Sequence, residues 1–212
     1  MPSKNKILRP YYEKCLVLIK PEHFERGGEI LDYLESLLIK TNLAENSFSV
    51  TIGEVPLFVA EAHCIEHRRK PFYEALVAQF AWKPVVAVTY LGTMGLIREI
   101  RKIVGDKDPV VARMQKYRGK QTVRGKFADP EETLQRSINL RYGTRNVVHC
   151  SDSVQGAVYE LSLEVWGKYF ADSGSFNSPE NREGMDLVWR LMEEGEWIAD
   201  DCYRISTEKN SR

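Results

Sequence analysis

One short segment of the chain combines an ionisable nucleophile with side chains that can position it. This segment, NVVHCSDSVQGAVYE over 146–160, has His149 directly after Val147 and Val148. The two valines predict the end of a buried strand, and residues 151–153 (SDS) are N-cap candidates for a following helix. We therefore expect His149 at a strand-to-helix junction. Backbone N–H groups and the positive helix end favour a phosphate there.

A carboxylate lies within reach of this histidine on the predicted helix. Glu160 can fold back and accept the proton of one ring nitrogen of His149, which fixes the tautomer and frees the other nitrogen to attack. A histidine that is simply buried and satisfied in the core is the alternative, and His149 taken alone favours it. The neighbouring residues favour a nucleophile that accepts a phosphoryl group.

The same segment resembles the active-site signature of the nucleoside diphosphate kinases, N-x-x-H-G-S-D-S followed by a glutamate on the helix. Cys150 stands where the signature has glycine. The resemblance implies an α+β sandwich, a ferredoxin-like βαββαβ antiparallel sheet covered by helices. It also implies that Asn146 bonds the ribose hydroxyl and that Ser151 supports the side chain of Glu160.

Three cations match family positions that contact phosphates. Lys20 lies in the I-K-P motif after the first apolar run, and Arg124 in TVRGKF matches the family's T-I-R-G-D-F. Arg101 matches the arginine of R-x-x-x-G-x-T-x-P, but Lys107 occupies the threonine position of that motif. A lysine there either binds a phosphate as a point charge or changes substrate choice. From the residues alone, ordinary solvated side chains remain the alternative.

Two aromatic positions of the family bear on base binding and on the histidine. Phe72, in KPFY, corresponds to the phenylalanine on which the base stacks, and stacking tolerates any base. The alternative for Phe72 is an aromatic that anchors two helices to the core. The family's tyrosine near the histidine falls at Cys64, so one contact to the active-site phosphate is absent or is supplied by another residue.

Composition limits the functional classes. Lysine plus arginine and aspartate plus glutamate both number 30, giving a net charge of +0, so no global field favours nucleic acid or a membrane. The four cysteines form no C-x-x-C pair, which favours free thiols in a reducing cytosol. No apolar stretch is typical of a secretory signal or a membrane span. We expect a cytoplasmic protein.

The pattern of apolar residues predicts strands and helices in the order that the resemblance implies. A domain is expected over 12–170, with an insert at about 128–145 and a C-terminal extension over 171–212. Strands are predicted at Cys15–Ile19, Phe48–Val59, Pro84–Leu91 and Val147–Val148; helices at Gly28–Leu43, Ala60–Arg68, Pro71–Phe80, Met94–Val104, Glu131–Leu140, Ser153–Val165 and Glu183–Gly195; and a polar, basic loop at Asp106–Phe127.

Three other functions are suggested by particular residues: a metal site, nucleic-acid binding and a regulatory role. His63 and His67 have the i, i+4 spacing of metal ligands, but no third ligand lies near them in the sequence, so polar residues on an exposed helix and no protein-held metal are expected. The basic loop suggests nucleic-acid binding, but the neutral net charge and the lack of a reader motif argue against it, and no nucleic-acid partner is expected. The changes at Cys64, Lys107 and Cys150 favour a rival, a catalytically weak nucleotide-binding or phosphohistidine regulator on the same fold.

The predicted function is therefore that of a nucleoside diphosphate kinase. It transfers the γ-phosphoryl of a nucleoside triphosphate to a nucleoside diphosphate by a ping-pong cycle through a phosphohistidine at His149. Mg²⁺ is expected to be carried by the nucleotide phosphates. Family members form hexamers, tetramers or dimers, so the resemblance also implies a homo-oligomer of this chain.

Overall fold

A computed structural model of the chain describes residues 12–129, 145–162 and 165–167. Most of the predicted insert, including the helix expected at Glu131–Leu140, lies outside the described residues. So do the extension over 171–212 and the helix expected at Glu183–Gly195.

The strands of the described chain form one four-stranded antiparallel sheet and a short hairpin. The strands are β1 (Tyr12–Ile19), β2 (Ala44–Ile52), β3 (Val85–Thr93), β4 (Lys116–Tyr117), β5 (Lys120–Gln121) and β6 (Val148–Cys150). The sheet has the order β2-β3-β1-β6, and β4 and β5 form the hairpin. This is the order that a βαββαβ unit produces, so the predicted fold class is confirmed.

Helices cover both faces of the sheet. They are α1 (Gly27–Leu38), α2 (Leu57–His63), α3 (Tyr73–Phe80), α4 (Leu96–Val104), α5 (Pro109–Met114), α6 (Val123–Phe127) and α7 (Val154–Glu160), with 3-10 turns at Pro21–Arg26, Ile39–Thr41 and Ile65–His67. Side chains alternate across a strand, so β1 contributes to two cores. Val17 and Ile19 pack with α1 and α4, whereas Leu16 and Leu18 pack with α2 and α3.

Several predicted boundaries were wrong. The helix expected at Ser153–Val165 ends at Glu160, the helix expected at Ala60–Arg68 spans Leu57–His63, and Val147 precedes β6 rather than lying in it. The first helix ends at Leu38 rather than Leu43, because a 3-10 turn follows and Asn42 takes a left-handed backbone with φ 55°. The second strand ends at Ile52 rather than Val59, because Pro56 precedes the first turn of α2. This strand lies at the edge of the sheet.

The segment 106–127, expected to be a loop, is ordered as α5, the β4-β5 hairpin and α6. Two of the polar residues that suggested a loop are helix caps. Oδ1 of Asp108 accepts from the N–H of Val110 at 2.8 Å, and Oγ1 of Thr122 accepts from the N–H of Gly125 at 3.1 Å. The segment therefore forms a compact wall beside α4.

Gly105 joins this wall to the end of α4. Its φ is +87°, in the region that favours glycine, and it is the C-cap of α4. A Cβ at this position would lie 2.4 Å from Oγ1 of Thr122. The chain therefore requires glycine both for the backbone conformation and for the approach of α6.

We expect Gly105→Ala to lower the free energy of unfolding by about 1–3 kcal/mol, because alanine adds backbone strain and forces Thr122 to move. Urea unfolding followed by circular dichroism measures the change. The matched control is Gly28→Ala, on the exposed side of α1 with no atom within 4 Å of the added Cβ. This control should be neutral or stabilising by up to about 1 kcal/mol. Equal effects of the two substitutions would contradict the assigned role of Gly105.

Candidate active site

Three side chains from one strand and the segment that follows it form a hydrogen-bonded chain. His149 lies on β6 opposite Leu18, and its Nε2 is 2.6 Å from Oε1 of Glu160. Oε2 of Glu160 accepts from the Ser151 hydroxyl at 2.5 Å. A carboxylate is an acceptor, so Nε2 carries the hydrogen and donates it. The lone pair for attack is therefore on Nδ1 of His149.

Ser151 also fixes this chain to the centre of the sheet. Its hydroxyl oxygen accepts from the N–H of Leu16 at 3.0 Å, and the side chain is fully buried. The N-cap of α7 is Ser153, whose Oγ accepts from the N–H of Gly156 at 3.0 Å. Of the three polar residues that were N-cap candidates, one therefore caps the helix and another holds Glu160.

Arg124 joins three segments around the strand that bears the histidine. Its guanidinium donates to the carbonyl oxygens of Gly105, Asn146 and Val148 at 2.8, 3.2 and 2.7 Å. These bonds use three of the five N–H donors of a guanidinium. The side chain is thus fixed beside His149, with donor capacity remaining toward the cavity that it lines.

The turn before β6 has an uncommon backbone. The N–H of Val148 donates to the carbonyl of Asn146 at 2.8 Å, and the intervening Val147 has φ 73°. This is a classic γ-turn, which is rare and strained for a β-branched residue. The carbonyl of Val147 accepts from the N–H of Lys20 at 2.9 Å, so the turn is bonded to the end of β1.

Asn146 presents a buried acceptor. Its Nδ2 donates to the carbonyl of Lys107 at 3.1 Å, which orients the amide. Its Oδ1 is buried and accepts no hydrogen bond from the described residues. A buried oxygen without a donor is costly, so the site suits a ligand that brings a hydroxyl.

The predicted phosphate ligands line one cavity of about 1350 Å³ with His149. Lys20 is 6% exposed, and Arg101 and Lys107 are exposed at the rim. Burial lowers the pKa of the Lys20 ammonium to about 8, with Arg124 lowering it further and Glu22 opposing the shift. The cavity thus brings Lys20, Arg101, Lys107, Arg124 and Asn146 to the histidine.

Phe72 is at the margin of this arrangement. It is the N-cap of α3 and is not among the residues that line the cavity. Its ring centroid lies 5.6 Å from that of His67, which does line the cavity. A base stacked on Phe72 would therefore occupy the outer end of the site.

His63 is a neighbour of His149 that the sequence pattern did not indicate. The two rings meet edge to face with centroids 4.5 Å apart, and the indole N–H of Trp166 donates to Nδ1 of His63 at 3.3 Å. Burial lowers the pKa of His63 well below its usual value, and the nearby His149 and Lys20 lower it further. Cys64, beside it, is buried and its pKa is raised by burial to about 12. One feature of the sequence could have indicated this contact. His63 directly precedes Cys64, and Cys64 occupies the position at which the family has a tyrosine near the active-site histidine.

Comparison with known proteins agrees with this geometry. The sequence model of the family described as nucleoside diphosphate kinase matches residues 13–166. The chain belongs to the nucleoside diphosphate kinase family. This family membership places the protein among the nucleotide-binding phosphotransferases.

Curated relatives and a solved structure are similar over most of the domain. A nucleoside diphosphate kinase of Archaeoglobus fulgidus is 34% identical over 167 residues, covering 78% of this chain and 91% of the relative. One of Pyrococcus abyssi is 32% identical over 169 residues, covering 79% and 89%. The solved Aquifex aeolicus nucleoside diphosphate kinase aligns with a TM-score of 0.56 and 26% identity, covering 73% of this chain and 99% of that one.

The kinase has no helix, among the residues that the structure describes, that is long and apolar enough to cross a membrane. Its described cysteines, Cys15, Cys64 and Cys150, are free thiols, as the sequence predicted.

We expect Ser151→Ala to lower the kcat of the kinase by about tenfold, because Glu160 loses the donor that orients it. The same change leaves the N–H of Leu16 without its partner, so the free energy of unfolding should fall by about 1–3 kcal/mol. Steady-state kinetics and urea unfolding measure the two effects. The comparison variant is Ser153→Ala, which removes a helix cap worth about 1 kcal/mol. An equal kcat for both variants would contradict the role of Ser151.

Proposed function

We propose that the kinase works by a ping-pong cycle through a phosphohistidine at His149. Nδ1 attacks the γ-phosphorus of a nucleoside triphosphate, an N–P bond forms, and the bond to the bridging β–γ oxygen breaks. The nucleoside diphosphate leaves with that oxygen. A second nucleoside diphosphate then attacks the phosphohistidine through a β-phosphate oxygen, which returns the free imidazole.

The chain from His149 through Glu160 to Ser151 is the observation that carries this proposal. Glu160 holds the Nε2–H throughout the cycle, so the ring keeps one tautomer and Nδ1 keeps its lone pair. Positive charge that develops on the ring during attack is stabilised by this carboxylate. A module that only binds nucleotides has no need of such a pair.

The cations of the cavity supply the electrostatic part of catalysis. Phosphoryl transfer depends mainly on positioning and on charge that faces the phosphates. We assign Lys20 and Arg124 to the transferred phosphoryl group, since Lys20 is buried, Arg124 is partly buried and both line the cavity with His149, and the exposed Arg101 and Lys107 to the remaining phosphates. Lys107 replaces a neutral family threonine, so it adds one charge at the rim.

The sugar and base are assigned to the outer residues. The buried Oδ1 of Asn146 suits a ribose hydroxyl, which would supply the missing donor. The base then lies toward Phe72, and stacking without hydrogen-bond readout admits purines and pyrimidines.

Mg²⁺ fits this site as an ion carried by the nucleotide. Both carboxylate oxygens of Glu13 accept backbone N–H groups, from Gly95 and Ile97, and both oxygens of Glu160 bond to His149 and Ser151. These two carboxylates are therefore already engaged in hydrogen bonds. Mg²⁺ prefers oxygen ligands and keeps several of its waters, so the phosphate oxygens of the nucleotide and water would be its ligands. When bound, the ion neutralises charge on the β- and γ-phosphates.

The proposal includes self-association and a cytoplasmic compartment. Large apolar side chains are exposed on several elements: Phe58, Trp82, Val110 and Met114 are 56, 62, 43 and 72% exposed. Exposed apolar side chains are available to a subunit contact where they meet in one patch. The free thiols are consistent with a reducing compartment.

A regulator that becomes phosphorylated but does not pass the group on is the second candidate. Cys64, Lys107 and Cys150 depart from the family pattern and line the cavity that contains His149, which favours it. Experiment separates it from the kinase.

The test is to incubate the protein with γ-labelled ATP and Mg²⁺, isolate the protein, and chase it with GDP. We expect an acid-labile label that transfers to GDP, and no label in His149→Ala. His67→Ala is the matched control, because its ring lies near the cavity without bonding Glu160. Label that forms but stays on the protein would establish the regulator. If ATP binds but the protein takes up no label, both the ping-pong kinase and the phosphohistidine regulator would be refuted.

A pH dependence follows from Lys20. Because its pKa is lowered to about 8, the ammonium loses its charge as the pH rises through 8, well below the ordinary value of 10.5. We expect kcat/KM to fall over this interval. Lys20→Arg keeps its charge, so its profile should stay flat there, whatever its absolute activity. A wild-type profile that stays flat up to pH 9.5 would contradict the assignment of Lys20 to the phosphates.

A further inference from the structure

Three metal-ligating side chains converge at the nucleophile. His63 comes from α2, His149 from β6 and Glu160 from the last turn of α7. One ligand atom of each residue lies within 4.8 Å of the corresponding atoms of the other two. The sequence suggested a different pair, His63 with His67 along one helix, whereas the fold brings His63 to His149.

The spacing of these atoms is close to what a small metal ion requires. Bonds of about 2.0–2.2 Å in tetrahedral geometry place neighbouring ligand atoms about 3.4 Å apart. The His149 Nε2 and Glu160 Oε1 atoms are 2.6 Å apart because they now share a hydrogen. Replacing that hydrogen by a metal ion needs them to separate by less than 1 Å, within the reach of side-chain rotation.

The donor set selects the type of ion. Two imidazole nitrogens and one carboxylate suit Zn²⁺, which commonly takes two histidines and one glutamate with a fourth position open. Mg²⁺ prefers oxygen ligands only, so the millimolar ion carried by nucleotides does not compete well for the nitrogens. All three residues line the cavity, so solvent or a phosphate oxygen can fill the fourth position.

We propose that His63, His149 and Glu160 form a Zn²⁺ site that inhibits the kinase reversibly. On binding through Nε2, His149 gives its Nε2–H proton to solvent and takes up a proton on Nδ1, so the ring stays neutral, the Nε2 electron pair goes to the metal and no oxidation state changes. Glu160 then neutralises the ion instead of the imidazole. Because Nδ1 now carries the hydrogen, it has no lone pair with which to attack a phosphoryl group.

Trp166 makes the site one of moderate affinity. Its indole N–H donates to Nδ1 of His63 at 3.3 Å, and coordination through either nitrogen of His63 disrupts that bond. If Nδ1 is the ligand, the indole loses its acceptor; if Nε2 is the ligand, the hydrogen moves to Nδ1 and opposes the indole. The site therefore responds to changing zinc concentration rather than retaining the ion permanently.

The binding test uses the metal alone. Calorimetric titration of the full chain with Zn²⁺, and absorption of bound Co²⁺ as a spectroscopic substitute, should show one site per chain. His63→Gln should weaken Zn²⁺ binding by about tenfold or more, whereas His67→Gln, at the other histidine of the i, i+4 pair, should leave it unchanged. Circular dichroism establishes that both variants fold. Unchanged affinity in His63→Gln would overturn the proposal.

A thiol site is the main competing outcome, because Cys64 follows His63. A Co²⁺–thiolate charge-transfer band that disappears in Cys64→Ser would also overturn the proposal. We expect tetrahedral ligand-field bands without that feature, and the same Zn²⁺ affinity in Cys64→Ser.

The inhibitory part rests on the proposed kinase function, and a second measurement isolates it. Phosphoryl transfer is followed with excess Mg²⁺-nucleotide and chelator-buffered free Zn²⁺. Half-inhibition should occur near the Zn²⁺ dissociation constant, be reversed by EDTA, and shift by about tenfold in His63→Gln. Zn²⁺ binding without inhibition would overturn the inhibitory role. A protein inactive without zinc would refute the kinase, while the binding test still decides the metal site.

Discussion

The partly buried guanidinium of Arg124 is the constraint on which the site depends. It bonds the carbonyls of Gly105, Asn146 and Val148, so the end of α4, the turn before β6 and the strand itself take fixed relative positions. A cation without partners would be expensive to bury, and these carbonyls offset the loss of water. One side chain thus both organises the strand that bears the histidine and contributes charge to the cavity.

Sequence reasoning was most successful where a local pattern had one physical interpretation. The run around Val17 had to be a buried strand, and the histidine with its carboxylate had to meet if the helix followed the strand. Prediction from the sequence failed at 106–127. Asp108 and Thr122 are residue types common in loops, but in the structure their side chains cap α5 and α6. Helices as short as α5 and α6 contain too few apolar residues for a helical periodicity to be recognised in the sequence.

The contacts of His63 were beyond sequence reasoning for a different reason. The histidines at 63 and 67 share a helical spacing, but α2 ends at His63, and only the packing of α2 over the sheet brings that ring against His149. Trp166, which bonds His63, lies beyond α7. Long-range contacts of this kind depend on the whole topology, which a local pattern does not specify. The departures at Cys64 and Cys150 place buried thiols in surroundings that disfavour thiolates.

The γ-turn at Val147 has a consequence for how the domain can be divided. A valine at φ 73° costs roughly 1–3 kcal/mol, and within the turn only the hydrogen bond from the N–H of Val148 to the carbonyl of Asn146, among the described residues, offsets that cost. The remaining compensation comes from elsewhere: Lys20 at the end of β1 and Arg124 on α6 bond its carbonyls. An isolated peptide spanning 146–160 would relax to an extended backbone and lose the alignment of His149. The reactive geometry is therefore a property of the assembled domain, and grafting the signature onto another scaffold would not transfer it.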